Sequence, residues 1–263
     1  MESKYTNKYE VACAILEKLS GGSGGGKFVL ADGTKLSKST FTEIPNYYDF
    51  SEITNFAQMF ASCRQLTTVV NLDMSNGTDF TYAFEYCYGL TTVGNLDMSN
   101  GSTFSGLFDS CNKLTTVRNL KTTNGSVFEY MFRYCSKLTT VGNLDTSNGS
   151  NFSSQFESCI ALTSVQSLDL SNGTNLSRMF SGCGSLENIS FVGSINYSID
   201  FSNSTLLTYD SIKSILTACS ATTRTGAKTL KFNRTIADNN GELVTLIGEC
   251  TTKGWTITGL TLE

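Results

Sequence analysis

The chain has 263 residues, of which 40% are hydrophobic and 16% charged, with a formal net charge of −4 and no histidine. This apolar fraction supports a folded core and excludes an intrinsically disordered chain. The lack of histidine excludes Ser-His-Asp and Cys-His catalysis and zinc sites that need imidazole. The mild acidity gives no electrostatic footprint for nucleic acid. No apolar run approaches the ~18 residues of a membrane helix, so we expect no membrane insertion.

The first 20 residues combine a polar start with a short amphipathic stretch. Val11, Ile15 and Leu19 share one face of a helix predicted over residues 11–19. The apolar part is too short for the central region of a signal peptide, so we expect no export signal. We interpret residues 1–20 as a helical docking segment.

A glycine-rich segment follows this helix. Gly21 to Gly26 and Lys27 fit the phosphate-loop pattern GxxxxGK. That motif requires Ser or Thr next and a helix after the loop, whereas Phe28 follows and the predicted helix precedes. A flexible linker is therefore favoured. Residues 21–53 are interpreted as this linker, a hairpin with a strand over 27–31 and a turn at Asp32-Gly33, and an N-terminal cap.

Residues 54–198 repeat every 24 residues, and we number the repeats 1 to 6 from Thr54. Three residue types recur in register, namely Phe60, Phe84, Phe108, Phe132, Phe156 and Phe180; Cys63, Cys87, Cys111, Cys135, Cys159 and Cys183; and Leu66, Leu90, Leu114, Leu138, Leu162 and Leu186. A fixed period of this length predicts a solenoid in which each unit buries its apolar side on its neighbours.

The first half of each repeat has helical spacing. In repeat 2, Phe80, Ala83, Phe84 and Cys87 are spaced i, i+3, i+4, i+7, which predicts a two-turn helix. The residue two before the first aromatic, Thr78 here, is always Ser or Thr, as expected of an N-cap.

The second half of each repeat is β-prone and ends in a turn. Residues 90–93 read Leu-Thr-Thr-Val, and Asn100-Gly101 closes the unit, since both types tolerate positive φ. The fold class predicted is therefore α/β: a leucine-rich-repeat solenoid of 24-residue helix-strand repeats, with a parallel sheet on one face and short helices on the other.

Residues 199–263 depart from the repeat and predict a βα C-terminal cap. Helices are expected over 207–219 and 241–253, with Gly254 as the stop of the second. Strands are expected over 228–232 and 255–258. We expect this alternation to extend the repeat sheet and seal its open end.

The unit FxxMFxxCxxLTTVxNLDxSN resembles the BspA-like leucine-rich repeats of bacterial surface proteins and of gut phages and prophages. The resemblance covers residues 41–200, with the cysteine, the leucine and both aromatics in register. Lys253-Gly254-Trp255, after a helix, is also similar to the ends of such proteins in gut phages. The resemblance implies binding and adhesion rather than catalysis.

Several rows formed by the repeat admit a chemical and a structural interpretation. The cysteines suggest metal or disulfide chemistry, but without any CxxC pair a reduced core ladder is favoured, also for Cys13, Cys219 and Cys250. The threonines suggest an ice-binding array, although threonine is also a good strand residue. The Asn-x-Ser/Thr sites are interpreted as turn chemistry. The two rows that suggest an ice-binding array are Thr67, Thr91, Thr115, Thr139 and Thr163, and beside them Thr68, Thr92, Thr116, Thr140 and Ser164.

One row of carboxylates raises the question of an ion. Stacked aspartates suggest calcium, but Lys121 occupies the same position in repeat 3 and relieves their repulsion without an ion. An ion-free row is favoured, and we predict no metal or cofactor. The carboxylates of this row are Asp73, Asp97, Asp145 and Asp169.

Tyrosines occupy the non-core positions of two predicted helices. Tyr82 and Tyr86 in repeat 2 are four residues apart, Tyr130 and Tyr134 hold the same positions in repeat 4, and Tyr88 follows Cys87. Outward tyrosines are common at binding faces. We take these five residues as the candidate binding site; the alternative is packing against neighbouring turns.

The function expected is non-enzymatic: a binding or structural protein that presents a repeat surface. The first choice is a virion component of a phage that contacts its gut bacterial host, and the alternative is a bacterial surface or secreted adhesin. Expected partners are a protein or glycan on a host or bacterial surface, and an assembly partner for residues 1–20. A carboxylate-based enzyme is a third, weaker hypothesis.

Overall fold

A computed structural model of the chain describes residues 27–29, 35–37, 42–44, 50, 53–70, 72–219 and 227–263. The predicted helix over 11–19, the glycine linker, Cys13 and the turn at Asp32-Gly33 lie outside the described residues. Strands β1 (Lys27–Val29) and β2 (Lys35–Ser37) pair antiparallel, with Phe28 opposite Leu36.

The repeats stack through a parallel sheet. Its six strands follow one another in the order of the repeats, and equivalent residues pair, as Thr92 does with Thr68 on one side and Thr116 on the other. These strands are β3 (Thr68–Val69), β4 (Thr92–Val93), β6 (Thr116–Val117), β8 (Thr140–Val141), β9 (Ser164–Leu168) and β10 (Asn188–Phe191). A second parallel pair joins β5 (Leu96–Asp97) to β7 (Leu120–Lys121).

The predicted short helices are wrong, because residues 53–70 and 72–208 contain no helix and the segment in question is a series of tight turns. Alternate N–H groups donate within the turn, such as Ala83 to the carbonyl of Phe80 at 3.1 Å. The N–H groups between them donate to the next repeat, such as Tyr82 to Ser105 at 2.7 Å. In a helix all of these N–H groups would donate to carbonyls of the same helix, whereas in the turns half of them join neighbouring repeats.

The predicted N-cap also has another role. The Thr78 hydroxyl donates to the carbonyl of Thr54 at 3.0 Å, and Ser102 donates to Thr78 at 3.1 Å, so these hydroxyls link repeats. The Asn-Gly turn does not use positive φ at the glycine. Gly101 is required by space instead, since a Cβ atom there would lie 2.6 Å from Cζ of Phe104.

Ladders of identical side chains fill the core. The recurring phenylalanines form two stacks, with ring centroids of neighbouring repeats 5.1 to 5.7 Å apart. The repeat cysteines are buried, and the thiol of Cys87 donates to the carbonyl of Phe60 at 3.2 Å. The same bond recurs in later repeats, as from Cys135 to Phe108 at 3.1 Å. In repeats 2 to 6 each thiol thus donates to a backbone carbonyl inside an apolar core.

The C-terminal cap contains β11 (Ile199–Asp200), α1 (Tyr209–Thr217), β12 (Lys228–Ile236), α2 (Glu242–Thr252) and β13 (Trp255–Leu262). The expected helices and strands are present, but the cap does not extend the six-stranded sheet. Its strands form a separate parallel sheet in the order β11-β12-β13. The cap continues the aromatic core instead, because Phe201 stacks on Phe180 at 5.3 Å and Phe232 stacks on Phe201 at 5.8 Å.

Candidate functional site

The candidate tyrosines occupy special backbone positions of the turn segments. The turn segment of each of repeats 1 to 6 has two residues with positive φ, four apart, and in repeats 2 and 4 all four are tyrosine, with φ between 55° and 59°. This left-handed conformation is unfavourable for a bulky residue. Repeat 3 has Gly106 and Ser110 at the two positions. Tyrosines therefore alternate with small residues along the stack.

Tyr82 is packed against its neighbour rather than projecting freely. Its ring lies directly over Gly106, where any Cβ atom would overlap Cδ1 and Cε1 of the tyrosine. Burial raises the pKa of the Tyr82 hydroxyl, and a hydrogen bond with Ser105 acts in the opposite direction. The packing alternative raised by the sequence thus applies to Tyr82.

Tyr86 and Tyr134 are the exposed members of the set. Their exposed fractions are 38% and 48%, although both have the same backbone conformation as the half-buried Tyr82 and Tyr130. Tyr86 is 5.9 Å from the ring of Tyr88 at an angle of 53°. The structure therefore places an exposed tyrosine ring in each of repeats 2 and 4, with a half-buried partner four residues earlier.

A buried ion pair fixes the centre of this surface. The Asp109 carboxylate has no exposed area, and Arg133 donates to its Oδ2 atom from Nε at 3.2 Å and from Nη2. This hydrogen bonding raises the pKa of Arg133. The guanidinium also lies 4.2 Å from the ring centroid of Tyr130 and 5.3 Å from that of Tyr134. Such a cation–π arrangement holds the arginine in one place.

Further polar groups surround the pair. Desolvation, followed by the nearby Asp109 charge, raises the pKa of Glu85. Glu129 accepts from Ser105 at 3.2 Å and from Nδ2 of Asn151 at 2.8 Å. We call the surface formed by Tyr82, Glu85, Tyr86, Tyr88, Asp109, Tyr130, Arg133 and Tyr134 the tyrosine face.

The sequence analysis missed the charged members of the tyrosine face. Glu85, Asp109 and Arg133 share one repeat position, 24 residues apart, and Glu85 and Arg133 directly precede Tyr86 and Tyr134. That register is a readable signal, because opposite charges in adjacent repeats of a stack lie next to one another. The predicted helices lack the hydrogen bonds between turns, such as that from the N–H of Tyr86 to the carbonyl of Asp109 at 2.9 Å, that bring these positions of neighbouring repeats together.

The other rows are engaged in local contacts. Asp97 accepts from the Ser99 hydroxyl at 2.7 Å and from Nζ of Lys121 at 2.7 Å, and the Lys121 and Ser99 hydrogen bonds lower its pKa. Among the described residues, no group of three or more Cys, Asp or Glu side chains is arranged to hold a metal ion. In the first threonine row, Thr91 donates to the carbonyl of Thr67 at 3.0 Å, so these hydroxyls join repeats.

These features define a class: a mixed α/β repeat protein whose 24-residue units stack through a parallel sheet and hydrogen-bonded turns. A family model described as "Mycoplasma protein of unknown function, DUF285" matches residues 34–140 and again residues 102–204. The chain belongs to this family. A search of curated proteins finds no match.

In the part of the chain that the structure describes, no helix is both long enough and apolar enough to span a membrane.

Proposed function

We propose that the protein is a non-enzymatic, BspA-like leucine-rich-repeat solenoid that binds a partner through the tyrosine face. The observation that carries this proposal is the exposure of Tyr86 and Tyr134, the second of which lies 5.3 Å from the guanidinium of Arg133, itself held by Asp109. Tyrosine and arginine are enriched among residues that dominate binding energy. An arginine already held by Asp109 loses little side-chain freedom on binding, which favours affinity.

The choice of tyrosine at these positions supports the same proposal. Positive φ recurs in every repeat, and it is less favourable for a bulky residue than for a small one. The fold does not need tyrosine here, because serine occupies the position of Tyr86 and Tyr134 in repeats 1, 3 and 5. A role in binding explains why tyrosine occurs at these positions, whereas the requirements of the fold do not.

We expect no enzyme activity from this surface. Glu85 and Asp109 are its closest approach to a catalytic carboxylate pair, but the Asp109 side chain has no exposed area and is bound to Arg133. A catalytic carboxylate must come within hydrogen-bond reach of its substrate. A screen with hydrolase substrates is expected to show no turnover, and turnover lost in Glu85→Gln would overturn this expectation.

We further propose that the protein is displayed on a virion or on a bacterial cell surface. The BspA-like resemblance supports a surface role, and the family match gives no support to the narrower choice of a phage particle. Mass spectrometry of purified particles and of the cell-surface fraction distinguishes the two locations. Absence from both would contradict this part of the proposal.

The binding experiment uses a double variant that the fold tolerates. Tyr86→Ser/Tyr134→Ser introduces the residue found at the same positive-φ position in other repeats, and Ser62→Ala/Ser158→Ala is the matched control. Fluorescently labelled protein is titrated onto intact bacterial cells. We expect at least a tenfold loss of affinity in the tyrosine variant and none in the control. Equal binding of all three proteins would refute the role of the tyrosine face.

A further inference from the structure

We propose that the ligand of the tyrosine face is a neutral, extended, equatorially linked glycan that lies along the stack of repeats. This inference rests on the proposed function, and it adds the chemical class and the direction of the ligand. It follows from the spacing of the rings, from the shape of the surface between them and from its charge.

The spacing of the tyrosines is set by the repeat. At the tyrosine positions neighbouring repeats are joined by backbone hydrogen bonds, from the N–H of Tyr86 to the carbonyl of Asp109 at 2.9 Å and from the N–H of Ser110 to the carbonyl of Arg133 at 2.7 Å. Hydrogen-bonded neighbouring backbones lie about 5 Å apart, so Tyr86 and Tyr134, two repeats apart, are separated by about 10 Å. This is close to the length of one disaccharide unit in an extended chain of equatorially linked pyranoses.

The alternation of large and small residues matches such a chain. In an extended equatorially linked glycan, every second sugar turns the same face to the same side. Repeat 3, between the two tyrosine repeats, has Gly106 and Ser110 at the tyrosine positions. Sugars that present their C–H face would stack on Tyr86 and Tyr134, while the intervening sugar would lie above Ser110, since the ring of Tyr82 covers Gly106.

Fixed polar groups stand beside the rings. Arg133 has five N–H donors, of which two are directed at Asp109, and its side chain remains 27% exposed. Glu85 is a half-buried acceptor on the same surface. Donors and acceptors held by a rigid scaffold, next to an aromatic platform, suit the hydroxyl groups of a sugar.

The charge of the surface selects a neutral glycan. Glu85, Asp109, Arg133 and Glu157 share one repeat position; Asp109 is paired with Arg133 and Glu157 lies 3.8 Å from Arg178, which leaves one net negative charge among these groups. An anionic polysaccharide would meet repulsion along this row. Rings that recur with the period of the stack match the period of a polysaccharide.

The test compares oligosaccharides that share a monomer and differ in shape. Cellohexaose is extended, whereas maltohexaose, also built of glucose, is curved; mannohexaose and xylohexaose with β-1,4 linkages complete the set. Binding is measured by isothermal titration calorimetry and by NMR shifts of the tyrosine rings. We expect at least one extended hexasaccharide to bind at least tenfold more tightly than maltohexaose and than its own disaccharide, because only the longer chain reaches both rings.

Single variants then locate the ligand. Tyr86→Ser and Tyr134→Ser should each reduce the hexasaccharide affinity to that of the disaccharide, while Ser158→Ala should leave it unchanged. Thermal unfolding of each variant confirms that the fold is intact. No binding of any extended hexasaccharide at millimolar concentration, or equal binding of maltohexaose, overturns the inference.

A further outcome separates this inference from the proposed function. If no hexasaccharide binds, but binding to cells is lost in Tyr86→Ser/Tyr134→Ser and after protease treatment of the cells, the partner is a protein. The glycan inference then fails while the proposed function stands. If the tyrosine variants bind cells as wild type does, both fail.

Discussion

Gln155 offers the sharpest test of how the repeats pack. It occupies a core position that holds Met131 in repeat 4 and Met179 in repeat 6, and its side chain has no exposed area. Both polar atoms of its side-chain amide, Nε2 and Oε1, are buried without a hydrogen-bond partner. Burial of an unpaired amide costs about 1–3 kcal/mol in proteins. Replacement by methionine removes this cost and keeps a side chain of similar length.

We therefore expect Gln155→Met to raise the free energy of unfolding by about 2 kcal/mol, which corresponds to about 4–8 °C in melting temperature for a domain of this size. Urea titration followed by circular dichroism measures the change, with the slope of the transition as a check that the unfolded state is unaltered. The reciprocal control is Met131→Gln, which should lower stability by a similar amount.

The outcome that refutes this reasoning is specific. Leucine occupies the same core position in repeat 3 as Leu107, so Gln155→Leu is a second apolar replacement with a precedent in the chain. If both Gln155→Met and Gln155→Leu leave the urea midpoint unchanged or lower it, the amide is not an unpaired group in solution. The hydrogen-bond argument for this position would then be wrong.

Three further predictions concern the glycines and the charges. Gly101→Ala should lower the free energy of unfolding by about 2 kcal/mol, because the added methyl group overpacks the phenylalanine stack. Gly248→Ala, in a helix where the added Cβ meets nothing within 4 Å, should raise it by about 0.5 kcal/mol, and equal effects of the two variants in urea titrations would contradict this. Arg133→Ala should cost about 3 kcal/mol by stranding buried Asp109, and Asp109→Ala/Arg133→Ala should recover part of it; a double variant no more stable than the single one would refute the ion pair. Because burial and Asp109 raise the pKa of Glu85 above its usual 4.5, the folded state holds this proton more tightly, and the stability of the protein falls as the pH rises through the interval above 4.5. Glu85→Gln should therefore exceed the wild type in urea midpoint at pH 7 and lose that advantage near pH 4; an equal advantage at both would count against the shift.

The sequence predicts which residues are buried far better than it predicts the backbone that buries them. Phe80, Ala83, Phe84 and Cys87 are all buried, as their spacing indicates. The same spacing arises from a helix and from consecutive tight turns, so periodicity alone does not separate the two. The deciding interactions are hydrogen bonds between repeats, such as the one from Tyr82 to Ser105, and these exist only in the assembled stack.

One signal within the sequence pointed away from the helices. Gly106 and Gly182 fall inside segments predicted to be helical, at the two positions where every repeat has positive φ. Glycine is unfavourable inside a helix and favoured in the left-handed region. Read across all six repeats, these two glycines favour turns.

The tyrosines of the candidate site could be predicted from the sequence, but the way in which they pack could not. The register of the repeat identifies Tyr86 and Tyr134 as equivalent, and their exposure follows from positions outside the apolar ladders. The packing of Tyr82 over Gly106 depends on the direction in which one ring leans across the next repeat. That direction is a property of the turn geometry, which a helical interpretation does not contain.

The most direct test of the central claim is a tyrosine footprint of the bound protein. Free protein and protein bound to intact cells are treated with a tyrosine-selective reagent, and the modified positions are identified by mass spectrometry. Tyr86 and Tyr134, the exposed rings, should be modified in the free protein and protected on cells. Modification of both rings at the same rate in free and bound protein would show that binding uses another surface, and would contradict the account.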